Sequence, residues 1–321
     1  MTWTDGGMLL LAAAFVVVTG INDGGALLST GLRVPSVRPL SATIILVACV
    51  VVVPLFSTAV AHGIANSLVT FDDTSAHVAV VIGLISAVVV VLASTWRGLP
   101  TSLTLALVGG LTGAGIGFDL AVGWWYVIGV IAVGMSAPVA GGLLAYLLTR
   151  WIRFLPPCLR LRGAVYRSHR IAYVVQAAAY ASNDAQKMLG VLAILSIAGT
   201  SLDSPNPATL LALGLIFGLG VVLGLPRVSR GLGNGVLLVR PAHAVAAEFA
   251  SGAAVITSAA IGVPVSMTQS VAGGLIGAGV GHGSRRIRWR EVYRICSTWV
   301  FTLPATGAFA AVVSFAWRGV S

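Results

Sequence analysis

Apolar residues run through this chain in long, nearly unbroken blocks separated by short polar stretches. Ten blocks stand out, at roughly 8–28, 40–61, 77–96, 100–118, 121–148, 171–200, 207–225, 238–261, 264–282 and 295–317. Each is near the ~20 residues that a helix needs to cross a bilayer. The pattern predicts an all-α polytopic membrane protein embedded in a lipid bilayer. The first block is expected to stay as a span, because Met1 to Gly7 lacks a basic leader and carries Asp5.

Composition agrees. Of 321 residues, 57% are hydrophobic and 9% charged, where soluble domains carry about a quarter charged. Mean hydropathy is +0.98. The net charge of +10 does not point to nucleic acid, because the basic residues fall in the short loops, as the positive-inside rule expects. Arg33, Arg38 and Arg97 mark cytoplasmic points. So do Arg150, Arg153, Arg160, Arg162, Arg167 and Arg170, then Arg227, Arg230 and Arg240, and the run from Arg285 to Arg294. Asp5, Asp72, Asp73, Asp119 and Asp203 fall on the other side. One alternating path through ten spans satisfies both sets and puts both termini outside. Cys49, Cys158 and Cys296 are scattered, without metal or disulfide spacing.

The chain repeats itself. Gly98 to Gly117 (GLPTSLTLALVGGLTGAGIG) and Gly262 to Gly281 (GVPVSMTQSVAGGLIGAGVG) are identical at eleven of twenty positions, at an offset of 164. Two Asn-Asp pairs, Asn22-Asp23 and Asn183-Asp184, recur at an offset of 161. Halves of about five spans each would insert with opposite orientation, giving two inverted-topology repeats with broken or re-entrant helices at the midplane. The expected units are a first repeat over 1–148, a basic cytoplasmic linker over 149–170 and a second repeat over 171–321.

The repeated motifs carry the chemistry. A charge in a bilayer costs at least ~2.5–3.5 kcal/mol on insertion scales, yet Asp23 and Asp184 both lie in apolar runs. With Asn22 and Asn183 they offer hard oxygen ligands for Na⁺, or a carboxylate that carries H⁺. Either ion would be the coupling ion, and no other cofactor is expected. Lys187, the chain's single lysine, follows Asp184 by one turn. Gly24 and Gly25 are expected to let the helix break and expose carbonyls. Pro100 and Pro264 predict helix starts, whose free amides, with the hydroxyls of Ser102, Thr104, Ser266 and Thr268 and the amide of Gln269, suit an anion. Glu248 is a further acid in an apolar run and a second coupling candidate. No nucleophile elbow, HExxH or phosphate-binding loop occurs, so no catalytic residue and no enzyme is expected.

On these motifs the chain resembles the inorganic phosphate transporter family. GINDGGAL at Gly20 to Leu27 is similar to that family's GANDxANA motif, and ASNDAQKMLG at Ala181 to Gly190 to its GANDxQKxMG motif. GLPTSLTL and GVPVSMTQ match its GLPxSxTH segments. The resemblance implies an inverted-repeat symporter in the plasma (inner) membrane that takes up inorganic phosphate with Na⁺ or H⁺. It assigns the cation to Asn22, Asp23, Asn183 and Asp184, and the oxyanion to Ser102, Thr104, Ser266 and Thr268. Some similar proteins carry sulfate, and a non-transporting membrane sensor or subunit is a further alternative. Homo-oligomerisation is left open. The chain departs from the family motifs at Ala26, Leu103, Leu105, Tyr180, Met267 and Gln269.

Overall fold

The computed structural model describes residues 3–32, 34–69, 74–99, 101–152, 154, 162–195, 201–228, 241–283 and 287–319. Arg33, Asp72, Asp73, Pro100, Arg153, Cys158, Arg160, Arg230, Arg240, Arg285 and Arg286 lie outside them, and the side chains of Asp5, Arg162 and Arg227 are likewise not described. Among the described residues the protein is all-helical, apart from one isolated bridge between Val69 and Val122.

Among the described residues, each predicted apolar block falls mainly on helix. The first is α1 (Trp3–Thr19), a π-turn (Gly20–Gly24) and α2 (Gly25–Gly31), followed by α3 (Pro39–Val52) and α4 (Ala59–Ser67). Next come α5 (Thr74–Trp96), α6 (Leu103–Gly117) and α7 (Trp124–Ile152). The second half repeats the order. It has α8 (Arg162–Tyr180), a π-turn (Ala181–Ala185), α9 (Gln186–Ile194), α10 (Pro207–Val228), α11 (Pro241–Ala260), α12 (Met267–His282) and α13 (Trp289–Arg318). Helix reaches into the expected 149–170 linker from both sides, leaving 153–161 between α7 and α8.

The expected ten full spans need correction. Among the described residues, five helices are long and apolar enough to cross a membrane, or six if the bent pair formed by Pro39–Leu55 and Ala59–Ser67 is one span. That pair turns by 69° after a 3₁₀ turn holding Pro54, which lacks the amide needed to continue the ladder. α6 and α12 have 15 and 16 residues. At 1.5 Å per residue they are about 22 and 24 Å long, short of the ~30 Å hydrocarbon core. α11 has the length, but His243, Glu248 and Ser251 interrupt its apolar run.

Packing shows why the halves belong together. α6 lies against α13 and α12 against α7, so each half's short helix packs on the other half's last helix. A Cβ at Gly113 would land on the carbonyl oxygen of Gly307, and one at Gly277 on that of Gly142. These contacts are related by the repeat, at offsets of 164 and 165. Close approach of small residues is how helices gain contact where lipid offers no hydrophobic drive.

Ser36 touches His169 at one end, while Gly123 N donates to Leu68 O and Arg318 pairs with Asp119 at the other. The last pair is exposed, at 43% and 72%, and exposed pairs contribute little. Asp119→Ala is expected to change stability by no more than about 1 kcal/mol, read as a near-unchanged thermal midpoint in detergent.

Candidate functional site

Both Asn-Asp pairs sit in π-turns, Gly20–Gly24 and Ala181–Ala185. The expected break at Gly24 and Gly25 does not occur. Both residues keep helical angles, φ −61°, ψ −41° and φ −62°, ψ −38°. The helix widens by one residue instead, a local change that recurs at functional sites.

Each asparagine pins the segment entering its own repeat's short helix. Asn22 Nδ2 donates to Thr101 O (3.0 Å) and Asp23 Oδ1 (2.7 Å), and its Oδ1 accepts from Thr95 Oγ1 (3.2 Å). Asn183 Nδ2 donates to Ser258 Oγ and Val263 O (3.4 Å each), while its Oδ1 accepts from Val265 N (3.2 Å). These segments are extended, so their peptide groups need partners that lipid cannot supply. The turns before them are repeat mates. Leu99 N donates to Ser94 O and Val263 N to Ser258 O, around Gly98 (φ +70°) and Gly262 (φ +71°). Glycine closes such a helix end without Cβ strain.

α6 and α12 begin at Leu103 and Met267, not at the prolines. Pro100 lies outside the described residues, and Pro264 falls in the extended lead-in. Ser102 caps α6, its Oγ accepting from Leu105 N (3.2 Å). Ser266 is the N-cap residue of α12 but turns its hydroxyl to Thr268 Oγ1 (2.7 Å).

The two helix starts meet. Thr104 Oγ1 donates to Val265 O (2.9 Å), and Thr268 Oγ1 donates to Thr101 O (3.4 Å). Both donors and both acceptors are repeat mates at an offset of 164, so the crossing marks the pseudo-two-fold axis. Two helix N-termini, each with free amides and a partial positive charge, converge there. Lys187 joins the halves. Its Nζ donates to Asp184 Oδ1 (2.6 Å), Thr104 Oγ1 (2.6 Å) and Val265 O. Asp23 and Asp184 lie within electrostatic reach of each other, and Lys187 acts on both. All of these side chains are buried.

Nine of the eleven predicted site residues thus gather: Asn22, Asp23, Asn183, Asp184, Lys187, Ser102, Thr104, Ser266 and Thr268. The threonine hydroxyls are engaged with backbone and would have to exchange partners to hold an anion. Gln269 is buried, and its Nε2 has no hydrogen-bond partner. Glu248 does not join the cluster. It lies ten residues before Ser258 on α11, about 15 Å along the helix, where His169 Nε2 approaches its Oε1 at 3.2 Å.

Sequence reasoning missed His169 and Gln186. His169, Tyr173, Gln176 and Tyr180 recur at helical spacing on α8 and are all buried, a stripe that periodicity could have exposed. Gln186 Oε1 accepts from Val60 N (2.7 Å) at the start of α4. Only the fold brings that partner near.

The chain matches the profile of the phosphate transporter family twice, over residues 19–176 and 165–310. It is 30% identical over 322 residues to a probable low-affinity inorganic phosphate transporter of Mycobacterium leprae (strain TN), covering 95% of this chain and 76% of that protein. A protein of the same description from Bacillus subtilis (strain 168) is 24% identical, with 96% and 95% covered. The fold matches a solved structure, the sodium-dependent phosphate transporter, with TM-score 0.82, 17% identity and full coverage of both chains. These relatives are transporters, not enzymes, and the duplicated profile falls on the duplicated helices described above. The chain is a multi-pass membrane protein belonging to the phosphate transporter family.

Proposed function

We propose that the protein takes up inorganic phosphate across the plasma (inner) membrane by symport with Na⁺ or H⁺, through alternating access. The observation that carries this reading is the meeting of α6 and α12, N-terminus to N-terminus, between two Asn-Asp π-turns. Amides at both helix starts and the hydroxyls of Ser102, Thr104, Ser266 and Thr268 can surround a tetrahedral oxyanion. Thr104 and Thr268 would turn from Val265 O and Thr101 O toward the anion, so binding loosens the bonds that join the halves. Lys187 supplies one fixed positive charge. Among the described residues no arginine lies in the cluster, which favours release as well as capture.

Asp184 Oδ2 has no hydrogen-bond partner. With Asp23 and the two asparagine oxygens it offers the cation a hard oxygen set of two carboxylates and two amides. Two carboxylates against one lysine leave a net negative charge for that cation to balance. The first and second repeats, about 1–148 and 171–321, would rock about this centre.

Sulfate fits the same donors. Phosphate at neutral pH carries a proton and can donate to a carboxylate, which sulfate cannot, so Asp23 and Asp184 favour phosphate.

The test is uptake of labelled phosphate and sulfate into liposomes under imposed Na⁺ or pH gradients. Phosphate uptake that responds to one gradient supports the reading. Sulfate uptake alone would move the substrate, and no uptake under any gradient would end the transporter reading. Thr104→Val and Thr268→Val each remove one hydrogen bond to a charged ligand, worth about 1.5–3 kcal/mol. Half-saturating phosphate is expected to rise about tenfold or more in each.

A further inference from the structure

A second buried ionisable pair lies at the end of the molecule where α8 begins. His169 and Glu248 are both fully buried, with Nε2 3.2 Å from Oε1. The other ring nitrogen of His169 lies 2.5 Å from Ser36 Oγ, on the connection between α2 and α3. Arg170 Nε donates to Ser36 O (3.0 Å). One turn on, Tyr173 Oη donates to Ala42 O of α3 (3.0 Å). The pair therefore ties the first repeat's α2–α3 connection to α8 and α11 of the second.

Among the described residues, few other titratable groups face it. Glu248 acts on Tyr173, as does Cys49 from α3. From α2, Thr30 meets the neutral Gln176. Toward α7 and α12, α11 presents Ala246 and Ala250 in an apolar cluster with Ala145 and Ala278. The ring of His243 meets that of His282 of α12 at a tilt of 59° (centroids 4.9 Å apart), and Arg38 precedes α3 at an exposed position.

We propose that Glu248 and His169 form a proton-binding site, separate from the central cluster, that clamps the α2–α3 connection shut while it holds its proton. A metal cation fits poorly. Hard cations want about six oxygens, and among the described residues no group of three His, Cys, Asp or Glu could hold a metal here. One proton makes the pair neutral overall, as imidazolium and carboxylate. The imidazolium then pairs with the Glu248 carboxylate as an ion pair and donates to Ser36 Oγ. Without the proton, a fully buried carboxylate faces a neutral ring, and neither of its oxygens has an aligned hydrogen-bond donor. Buried charge without compensation is strongly unfavourable, and water reaches Glu248 once Ser36 lets go. The clamp is closed at low pH and opens as pH rises. The connection it holds continues into α2 and the Asn22-Asp23 π-turn, so proton occupancy at this end biases the first helix of the central site.

The test needs no phosphate, so a failed uptake assay leaves it intact. Val37→Cys, on the same connection, is placed in reconstituted protein whose native cysteines are replaced by alanine. Its labelling by a membrane-impermeant maleimide is followed against pH and normalised to the exposed control Phe154→Cys. Normalised labelling is expected to rise severalfold from acid to alkaline pH. Glu248→Gln keeps a partner for His169 without a titrating charge and should stay slow throughout. Ser36→Ala should be fast throughout while infrared difference spectra still show histidine bands changing with pH and the Glu248 carboxylate band shifting with them. A pH-independent wild type, or a Glu248→Gln variant with unchanged pH response, would overturn the proposal. If Glu248→Gln does not fold, the Ser36→Ala spectra and labelling decide.

Discussion

Asp184→Asn is expected to abolish phosphate uptake and to cost the folded protein about 3–5 kcal/mol, because it strands a buried ammonium. Lys187 has no exposed surface, and Asp184 Oδ1 is 2.6 Å from its Nζ. Thr104 Oγ1 and Val265 O would still accept from it, and Asp23 still acts on it, which puts the cost toward the lower end. The double variant Asp184→Asn, Lys187→Met separates folding from function. Removing both charges leaves no buried ion without its partner, so the thermal midpoint should recover while uptake stays absent. Recovery of uptake in the double variant would reduce the pair to a structural role. Asp23 gives the contrast. Its recorded hydrogen bond comes from Asn22, so Asp23→Asn should fold normally yet lose the response to the driving gradient.

The other large effect concerns backbone contact. Gly277→Leu and its repeat mate Gly113→Leu each place a side chain where a carbonyl oxygen of the facing helix already sits. Overpacking costs about 1–3 kcal/mol where side chains can yield. Here the obstacle is main chain, so both variants should lose the folded protein, seen as a collapsed monodisperse peak in detergent chromatography. On α7 a Cβ at the partly exposed Gly129 meets nothing within 4 Å, so Gly129→Leu is the control that should behave as wild type. Intact Gly277→Leu protein would mean that α12 and α7 are not in backbone contact in the bilayer.

Much of this was legible because duplication writes itself twice. The 164-residue offset marked the two Pro-x-Ser-x-Thr segments as repeat mates, while their crossing through Thr104–Val265 and Thr268–Thr101 comes from the fold alone. The π-turns were not legible, since GINDG and ASNDA satisfy helical spacing equally well with or without the extra residue. Pro264 suggested a helix start three residues early. Proline fixes its own φ, but Ser266 is held extended (φ −94°, ψ 117°) by the crossing contacts. Glu248 was visible as a costly acid. Its partner His169 was not, because it sits on a helix that also carries Arg162, Arg167 and Arg170 and reads as an exposed end.

The exchange of partners between halves also bears on how the chain is made. When the ribosome has finished α6 at Gly117, the helix that must cover its glycine face begins only at Trp289. The α6 face that will meet Gly307 therefore waits, uncovered, through the synthesis and insertion of most of the second repeat. The first half can be threaded into the membrane but cannot lock, and a chain stopped before α13 is left with an open seam. Assembly is gated by the final helix, with the long loop closure that sets a slow folding step. Quality control acting on truncated chains would meet that seam first.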